Sequence, residues 1–299
     1  MLSRVLSSAA RHAPRRALFS SSPSSSTAVG SYGLEGKVIV VAGAGNPPEE
    51  ELGIGASTSL HLARHGATVV SVSNVAVNCD TVTDLITGEG LKGVSHVADC
   101  TDHGEAAALH ARVKEEFGRV DCVINAGIHS ALPMGFDKMT EQAWETGIAL
   151  NLDAHFNLVH AFLPTFVEQQ SGNIIHYTTI ASSVGLGIGR QRHAYAAGKA
   201  AAATLTKRLG VEYAPQGIRG NVIAIGYVSG PLVNRAVANA GADIAAVTAG
   251  RDAYVPRGTQ GTPMEVAEVA AFLASDNSKL VNAAEIPCDG GTSSCTYGP

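Results

Sequence analysis

Residues 38–45 read VIVVAGAG, and after an intervening loop the chain continues as Gly53-Ile54-Gly55. The first five of these residues are continuously apolar and mostly β-branched, which predicts a buried strand. Residues 53–65 have the pattern of a helix, so the glycines lie at a strand-to-helix turn. Such a turn lets the backbone approach a pyrophosphate, while the helix N-terminus supplies N–H donors. An ordinary tight turn has the same composition, so this stretch needs support from elsewhere in the chain.

The same alternation of short apolar runs and longer amphipathic runs continues to the end of the chain. It predicts six more strands, at residues 68–73, 91–98, 122–125, 173–178, 221–225 and 285–288. Further helices are predicted at residues 104–117, 141–166, 194–213 and 266–274. Strands that alternate with helices form βαβ units, and continuously apolar strands fit a sheet covered on both faces. The sequence therefore predicts an α/β fold, a single-domain doubly wound parallel sheet (Rossmann-like), over residues 34–299.

The composition narrows the class of protein. The chain has 299 residues, of which 45% are hydrophobic, and its formal net charge is −5. A negative chain argues against nucleic acid as a partner, and no apolar run is long enough to predict a membrane span. The cysteines show neither CxxC nor Cys/His spacing, so we expect reduced thiols and no metal site.

Residues 1–30 differ in composition from the rest of the chain. They are rich in Ser, Ala and Arg, and no acidic residue appears before Glu35. This composition is typical of a mitochondrial transit peptide, and a tail without targeting meaning is the alternative. We therefore expect residues 1–30 to be a targeting segment and disordered linker, and the protein to be in the mitochondrial matrix.

Tyr195-Ala196-Ala197-Gly198-Lys199 follows the fifth predicted strand. A Tyr and a Lys four residues apart lie on one face of a helix. A phenol with a pKa near 10 is a poor acid/base group at neutral pH, but a nearby cation favours the phenolate. Tyr195 could then exchange a proton with an alcohol or carbonyl oxygen.

These motifs together resemble the classical short-chain dehydrogenase/reductase family over most of residues 34–292. Gly43, Gly53 and Gly55 match the glycines of the family's first motif, but about six extra residues separate them. Asn125-Ala126-Gly127 and the Tyr195/Lys199 pair match later motifs. The resemblance implies cofactor contacts from residues at the strand ends: Gly43, Gly53, Ile54, Gly55, Ser73, Asp99, Cys100, Asn125, Ala126, Gly127, Tyr195, Lys199, Gly226 and Val228.

The resemblance implies NAD(H) or NADP(H) as the cofactor. An acidic residue at the end of the second strand would favour NAD, and a following Arg would favour NADP. This chain has Ser73-Asn74 there, which is neither acidic nor basic. Both cofactors therefore stay open.

The family also implies a catalytic hydroxyl group and a helix Asn. Counting along the fifth strand from Gly172 places the hydroxyl at Thr179, whereas counting back from Tyr195 places it at Ser182. We favour Thr179 and keep Ser182 as the alternative. Asn151 matches the Asn that holds a water in the family's proton relay.

The implied function is reversible ketone/secondary-alcohol oxidoreduction. The Tyr195–Lys199 spacing favours this over enoyl reduction, and a 3-oxoacyl thioester, on acyl-carrier protein or CoA, is the first substrate hypothesis. A catalytically degenerate member that serves as a structural or cofactor-sensing subunit is the alternative. The family's habits further imply a homotetramer or homodimer through residues 141–166 and 194–213, and a substrate lid at residues 227–255.

Overall fold

A computed structural model describes residues 32–127, 135–185 and 192–295. These residues belong to one compact unit that begins at Tyr32. The predicted targeting segment, residues 1–30, lies outside the described residues. Within them, no helix has both the length and the apolar character needed to cross a membrane.

The core of the unit is a seven-stranded sheet with strand order β3-β2-β1-β4-β5-β6-β7, in which every neighbouring pair is parallel. The strands are β1 (Val38–Ala42), β2 (Thr68–Ser73), β3 (Gly93–Val97), β4 (Cys122–Asn125), β5 (Gly172–Thr179), β6 (Ile218–Ile225) and β7 (Glu285–Cys288). The order reverses between β1 and β4, where ligands bind in open parallel sheets. The predicted fold class, a doubly wound parallel sheet, is confirmed.

Helices cover both faces of this sheet. They are α1 (Ile54–Arg64), α2 (Ala76–Gly88), α3 (His103–Phe117), α4 (Glu141–Ile148), α5 (Ala154–Gln169), α6 (His193–Glu212), α7 (Pro231–Asn239), α8 (Ile244–Asp252) and α9 (Pro263–Ala274). Alternate residues of β1 belong to different core clusters, Ile39 and Val41 to one and Val38 and Val40 to the other. Burial on both faces is the reason that this strand is apolar without interruption.

The helices account for most departures from the predicted elements. The single helix predicted at residues 141–166 is two helices, α4 and α5, joined by a π-helical turn at Ala149–Asp153. Helices α2, α7 and α8 were not predicted. Strands β1, β2, β4 and β7 have the predicted bounds.

Candidate active site

Tyr195 lies in the first turn of α6, with only 7% of its surface exposed. Its side chain shares a hydrogen bond with the side chain of Thr179, the last residue of β5. Burial raises the pKa of Tyr195, while the Thr179 hydrogen bond and the nearby Arg192 cation lower it. The phenol therefore lies at the carboxyl edge of the sheet, where the Thr179 hydroxyl and the Arg192 charge both lower its pKa against the effect of burial.

Lys199 lies one turn further along α6 and is 1% exposed. Its Nζ donates to the carbonyl oxygens of Gly127 at 2.5 Å and Tyr177 at 2.9 Å. Burial lowers the pKa of Lys199 to about 7. The ammonium thus ties the ends of β4 and β5 to α6, while the cation that acts on the Tyr195 pKa is Arg192.

The two candidate hydroxyls, Thr179 and Ser182, point to different partners. Ser182 Oγ donates to the backbone oxygen of Thr179 at 2.6 Å and lies 3.4 Å from Thr178 Oγ1. It closes the short 3₁₀ turn Ile180–Ser182 rather than reaching the phenol. The structure thus brings Thr179, and not Ser182, to Tyr195.

Asn151 is buried in the π-helical turn, where its Nδ2 donates to Gly147 O at 2.9 Å. A Cβ placed on Gly198 would lie 2.9 Å from Asn151 Cβ. Because Gly198 stands between the Tyr and the Lys on α6, its lack of a side chain lets Asn151 approach that helix closely. The structure therefore brings Asn151 to the helix that carries Tyr195 and Lys199.

Two fully buried histidines, His155 and His176, lie near Lys199, with their ring centroids 4.3 Å apart. His155 Nε2 is 2.8 Å from Thr206 Oγ1. Burial, followed by repulsion from Lys199, lowers the pKa of His155 to about 3. Burial, followed by repulsion from His155 and then Lys199, places the pKa of His176 well below its ordinary value. Both rings are uncharged at neutral pH.

The glycine-rich turn after β1 fits a pyrophosphate. Gly43 has a φ of +80°, and a Cβ there would lie 2.5 Å from Gly127 N. A Cβ on Gly55 would overlap the carbonyl oxygen of Gly43. Gly53 is the N-cap residue of α1, and among the described residues no side chain accepts a hydrogen bond from the first N–H groups of the helix. These N–H groups have no partner within the helix and face the turn. Only glycines leave room for this close approach of β1, β4 and α1.

The extra residues in this turn fold back on themselves around Asn46, which is 1% exposed. Its Nδ2 donates to Pro47 O at 3.0 Å and to Glu50 O at 3.2 Å, and its Oδ1 accepts from Gly53 N at 2.9 Å. The insertion is therefore a closed loop, and Gly53 still starts α1 next to Gly43. Glu50 of this loop pairs with Arg235 of α7 at 2.9 Å.

Other predicted cofactor residues also lie at the carboxyl ends of strands. Asn125 Oδ1 accepts from Gly127 N at 3.0 Å, and Ala126 N donates to Ala42 O at 2.8 Å. Gly226 follows β6, where a Cβ would lie 2.5 Å from Asp289 Cβ, and Val228 pairs with Gly261 in a parallel bridge. These residues line the edge shared by Gly43, Thr179 and Lys199.

Three predicted cofactor residues lie at the ends of β2 and β3, in the half of the sheet away from β5 and Thr179. Ser73 ends β2, and its Oγ accepts from Val75 N at 3.2 Å. Asp99 and Cys100 follow β3, and Asp99 Oδ1 accepts from Thr101 N at 2.9 Å and Thr101 Oγ1 at 2.7 Å. The Asp99 carboxylate thus accepts hydrogen bonds from the turn in which it lies. Among the described residues, no cluster of His, Cys, Asp or Glu is arranged to hold a metal ion.

Comparison with known proteins identifies the family of this chain. A model of the short-chain dehydrogenase group, described as enoyl-(acyl carrier protein) reductase, matches residues 49–293. The chain belongs to the short-chain dehydrogenase/reductase family. The chain is thus an NAD(P)-dependent oxidoreductase, as the resemblance predicted.

Two curated members of the family illustrate how widely its substrates vary. The chain is 33% identical to the 3-oxoacyl-[acyl-carrier-protein] reductase of Thermotoga maritima, over 86% of this chain and 98% of that protein. It is 36% identical to the cis-4-hydroxycyclohexanecarboxylate dehydrogenase of Sinomonas cyclohexanicum, over 85% and 96% respectively. Among solved structures, a gluconate 5-dehydrogenase from Burkholderia cenocepacia, in complex with NADP and tartrate, has a TM-score of 0.78. Its sequence is 28% identical to that of this chain, and the match covers 89% of this chain and 98% of that structure.

These relatives correct one prediction about this family member. The proteins matched are bacterial, and bacteria have no mitochondria, so the predicted mitochondrial matrix location is wrong. The prediction rested on the Arg-, Ser- and Ala-rich composition of residues 1–30. Such a composition is not diagnostic of one organelle.

Sequence reasoning missed three side chains of this site: Arg192, Arg251 and Asn46. Arg192 precedes the tyrosine motif by three residues, and its position beside the motif was the available signal. Arg251 lies in α8, and its Nη2 donates to Val228 O at 2.9 Å. Nothing in the local sequence pattern separates Arg251 or Asn46 from surface residues.

Proposed function

We propose that this chain catalyses reversible hydride transfer between NAD(P)(H) and a secondary alcohol or ketone, with Tyr195 as the acid/base group. The buried Tyr195 phenol, hydrogen-bonded to Thr179 and close to the Arg192 cation, is the observation that supports this most directly. A phenol that shares its proton with a hydroxyl group can exchange that proton with a substrate oxygen placed between them.

When bound, the nicotinamide supplies a hydride to the carbonyl carbon or accepts one from the alcohol carbon. In reduction, Tyr195 donates its phenolic proton to the carbonyl oxygen as the C=O π bond breaks. The products are the C–H and O–H bonds of the alcohol and a Tyr195 phenolate, which regains a proton afterwards. Thr179 Oγ1 holds the substrate oxygen in place by a hydrogen bond. Oxidation follows the same steps in reverse.

Lys199 and Asn151 are proposed to position this machinery. Lys199 Nζ is anchored by Gly127 O and Tyr177 O, and from there it would hold the ribose hydroxyls of the cofactor. Asn151 packs against Gly198 and would hold the water through which the phenolate regains its proton. Both groups are fixed by buried contacts, so little reorganisation is needed during the reaction.

The cofactor is proposed to lie along the carboxyl edge of the sheet. The turn at Gly43 and the N-terminus of α1 would hold the pyrophosphate. Residues 125–127 would line the part of the site that holds the nicotinamide half of the cofactor. Ser73 would face the adenosine ribose. Since neither an acid nor a cation follows β2, NADH and NADPH both belong in the binding test.

Within this reaction, 3-oxoacyl thioesters are one proposed substrate class. The name of the Thermotoga relative supports them, and so does the small, apolar composition of the lid segment. The name of the Sinomonas relative supports a hydroxy acid instead. A panel that contains both classes separates them.

Titration of the purified protein with NADH and NADPH, followed by fluorescence, tests the function. We expect at least one nucleotide to bind, and Tyr195→Phe to bind it equally well while losing turnover across the panel. If neither nucleotide binds, the degenerate, non-enzymatic alternative is favoured. Turnover that survives in Tyr195→Phe overturns the role of the phenol.

We also propose a homotetramer or homodimer that uses α5 and α6. Phe156 on α5 and Val211 on α6 expose 46% and 61% of their surfaces in the single chain, so both are available to an interface. Light scattering should give a multiple of the 30.6 kDa chain mass. Phe156→Asp should lower that mass, while Val77→Asp, at an exposed apolar position on α2, should leave it unchanged. A wild-type protein of single-chain mass contradicts the proposal.

A further inference from the structure

A buried hydrogen bond joins α5, the helix that follows Asn151, to α6, the helix that carries Tyr195. It links His155, in the first turn of α5, to Thr206 on α6, and both side chains are 0% exposed. His155 Nε2 is 2.8 Å from Thr206 Oγ1. Thr206 follows Tyr195 by 11 residues, which is about 16 Å along the helix at 1.5 Å per residue. The bond is therefore too far from the phenol to touch the reacting atoms itself.

The direction of this hydrogen bond follows from the single proton of the Thr206 hydroxyl. Thr206 Oγ1 donates that proton to Ala202 O, on the preceding turn of α6, at 2.9 Å. It therefore accepts from His155, whose Nε2 carries the ring proton. Burial lowers the pKa of His155 to about 3, so this uncharged form persists at neutral pH. The buried ring of His176 on β5 packs against His155 with the centroids 4.3 Å apart, which limits rotation of the donor ring.

Asn151 lies four residues before His155, in the π-helical turn, and it also faces α6. Its Cβ is so close to that helix that a Cβ on Gly198 would lie 2.9 Å away. The contact at Gly198 involves no side chain of α6, so by itself it would let the two helices slide. The His155–Thr206 bond has a preferred length and direction. It therefore restrains the position of the π-helical turn along α6.

A second pair of the same chemistry lies elsewhere on α5. His110 Nε2, on α3, is 2.8 Å from Thr165 Oγ1, and Thr165 is 2% exposed. Thr165 follows His155 by ten residues, about 15 Å along α5, and its partner is on α3 rather than α6. The two pairs have equal contact distances, but only the His155–Thr206 pair joins Asn151's neighbourhood to α6.

We propose that His155 and Thr206 are positioning residues whose hydrogen bond holds Asn151 in place beside α6. This inference rests on the proposed function, in which Asn151 holds the water that returns a proton to Tyr195. Loss of the bond should displace that water and slow the return of the proton. It should leave nucleotide binding unchanged, because the turn at Gly43 lies on another part of the sheet edge.

Thr206→Val and Thr165→Val test this proposal in the full-length protein, because each change keeps the side-chain shape and removes a hydroxyl that bonds a histidine. Both should lower Tm by similar amounts. Only Thr206→Val should also lower kcat, by roughly 10- to 100-fold, since a displacement of about 1 Å can cost that much in rate. Its nucleotide Kd should stay within about 3-fold of the wild-type value, and Thr206→Ser, which keeps the hydroxyl, should retain kcat within about 3-fold.

The solvent isotope effect on kcat separates a positioning role from a general structural defect. It should be larger in Thr206→Val than in the wild type, because proton return becomes rate-limiting. His155→Leu removes the same bond from the α5 side, and the double variant should lose no more kcat than either single change. If Thr206→Val keeps the wild-type kcat and isotope effect, or if Thr165→Val loses as much activity, the positioning role is refuted.

Crystal structures of the two valine variants give a readout that needs no turnover. Asn151 should move away from Gly198 in Thr206→Val and keep its place in Thr165→Val. An unmoved Asn151 in Thr206→Val refutes the inference. Nucleotide binding, and the loss of turnover in Tyr195→Phe, test the proposed function by separate measurements. If the wild type turned over no panel substrate, the proposed function would fail while these structures would still decide the inference.

Discussion

Thr179 and Ser182 are three residues apart, yet only one of them reaches the phenol. Thr179 is the last residue of β5, so its side chain extends from a fixed position in the sheet. Ser182 Oγ is used to close the following turn by its bond to Thr179 O. Strand register therefore decides which hydroxyl lies near the phenol, and the count along β5 gives the same residue, Thr179.

Substitution of these two hydroxyls separates their roles. Thr179→Ala should lower kcat by roughly 100- to 1,000-fold, because a hydrogen bond to the reacting oxygen is lost. Thr179→Ser keeps an oxygen at this position and should retain activity within about 10-fold. Ser182→Ala should stay within about 3-fold of the wild type, because it removes only a turn contact. Steady-state kinetics with one panel substrate measure all three, and a larger loss in Ser182→Ala than in Thr179→Ala would reverse the assignment.

The residues that sequence could predict here are those with fixed local spacing. Tyr195 and Lys199 are four apart on one helix, and the sequence alone shows that they share a face. Gly127 and Lys199 are 72 residues apart in the chain, yet Lys199 Nζ donates to Gly127 O at 2.5 Å. They meet because β4 and β5 are neighbours in the sheet and α6 packs against β5. No local pattern encodes that meeting.

At the level of elements, the sequence predicted the bounds of fully buried strands correctly but missed the interruption of a partly buried helix. The buried strands β1 and β4 have the predicted bounds, because parallel sheets demand apolar runs. The predicted helix at residues 141–166 is interrupted at the π-helical turn around Asn151, where one extra residue is accommodated. Such turns are frequent at functional sites and leave the apolar period almost intact, so the period alone did not reveal this one.

The inserted loop after β1 offers a test at this scale. Asn46→Ala removes three hydrogen bonds from a buried side chain and leaves Gly53 N without its partner. We expect a loss of about 2 kcal/mol in stability and a fall in Tm of roughly 4–8 °C. Nucleotide affinity should also fall, because Gly53 starts the helix proposed to hold the pyrophosphate.

Glu51→Gln is the matched control for this loop, since Glu51 is exposed and its change should leave both Tm and nucleotide affinity unaltered. Thermal unfolding and fluorescence titration measure the two effects separately. If Asn46→Ala behaves like Glu51→Gln, the loop is not held by its buried amide.

For the whole molecule, the doubly wound topology brings distant segments to a single edge, and this edge includes a fully buried cation. The Lys199 ammonium donates hydrogen bonds to Gly127 O and Tyr177 O, and the side chain is buried away from water. Burying an ammonium opposes folding unless its contacts compensate. The cost should therefore appear in the global stability of the protein rather than in any local property.

Stability should consequently depend on pH through this lysine. Burial lowers the pKa of Lys199 to about 7, whereas an unfolded lysine titrates near 10.4. Between these values the unfolded state binds the extra proton, so the free energy of unfolding gains roughly 1 kcal/mol per pH unit as pH rises. Lys199→Met lacks this term, and its stability should rise less steeply than that of the wild type over the same window. Urea unfolding at several pH values measures the slopes, with Lys279→Met, whose side chain is 74% exposed, as the control that should keep the wild-type slope. Parallel slopes for Lys199→Met and the wild type would mean that the ammonium keeps its proton when buried, held by its two carbonyl partners.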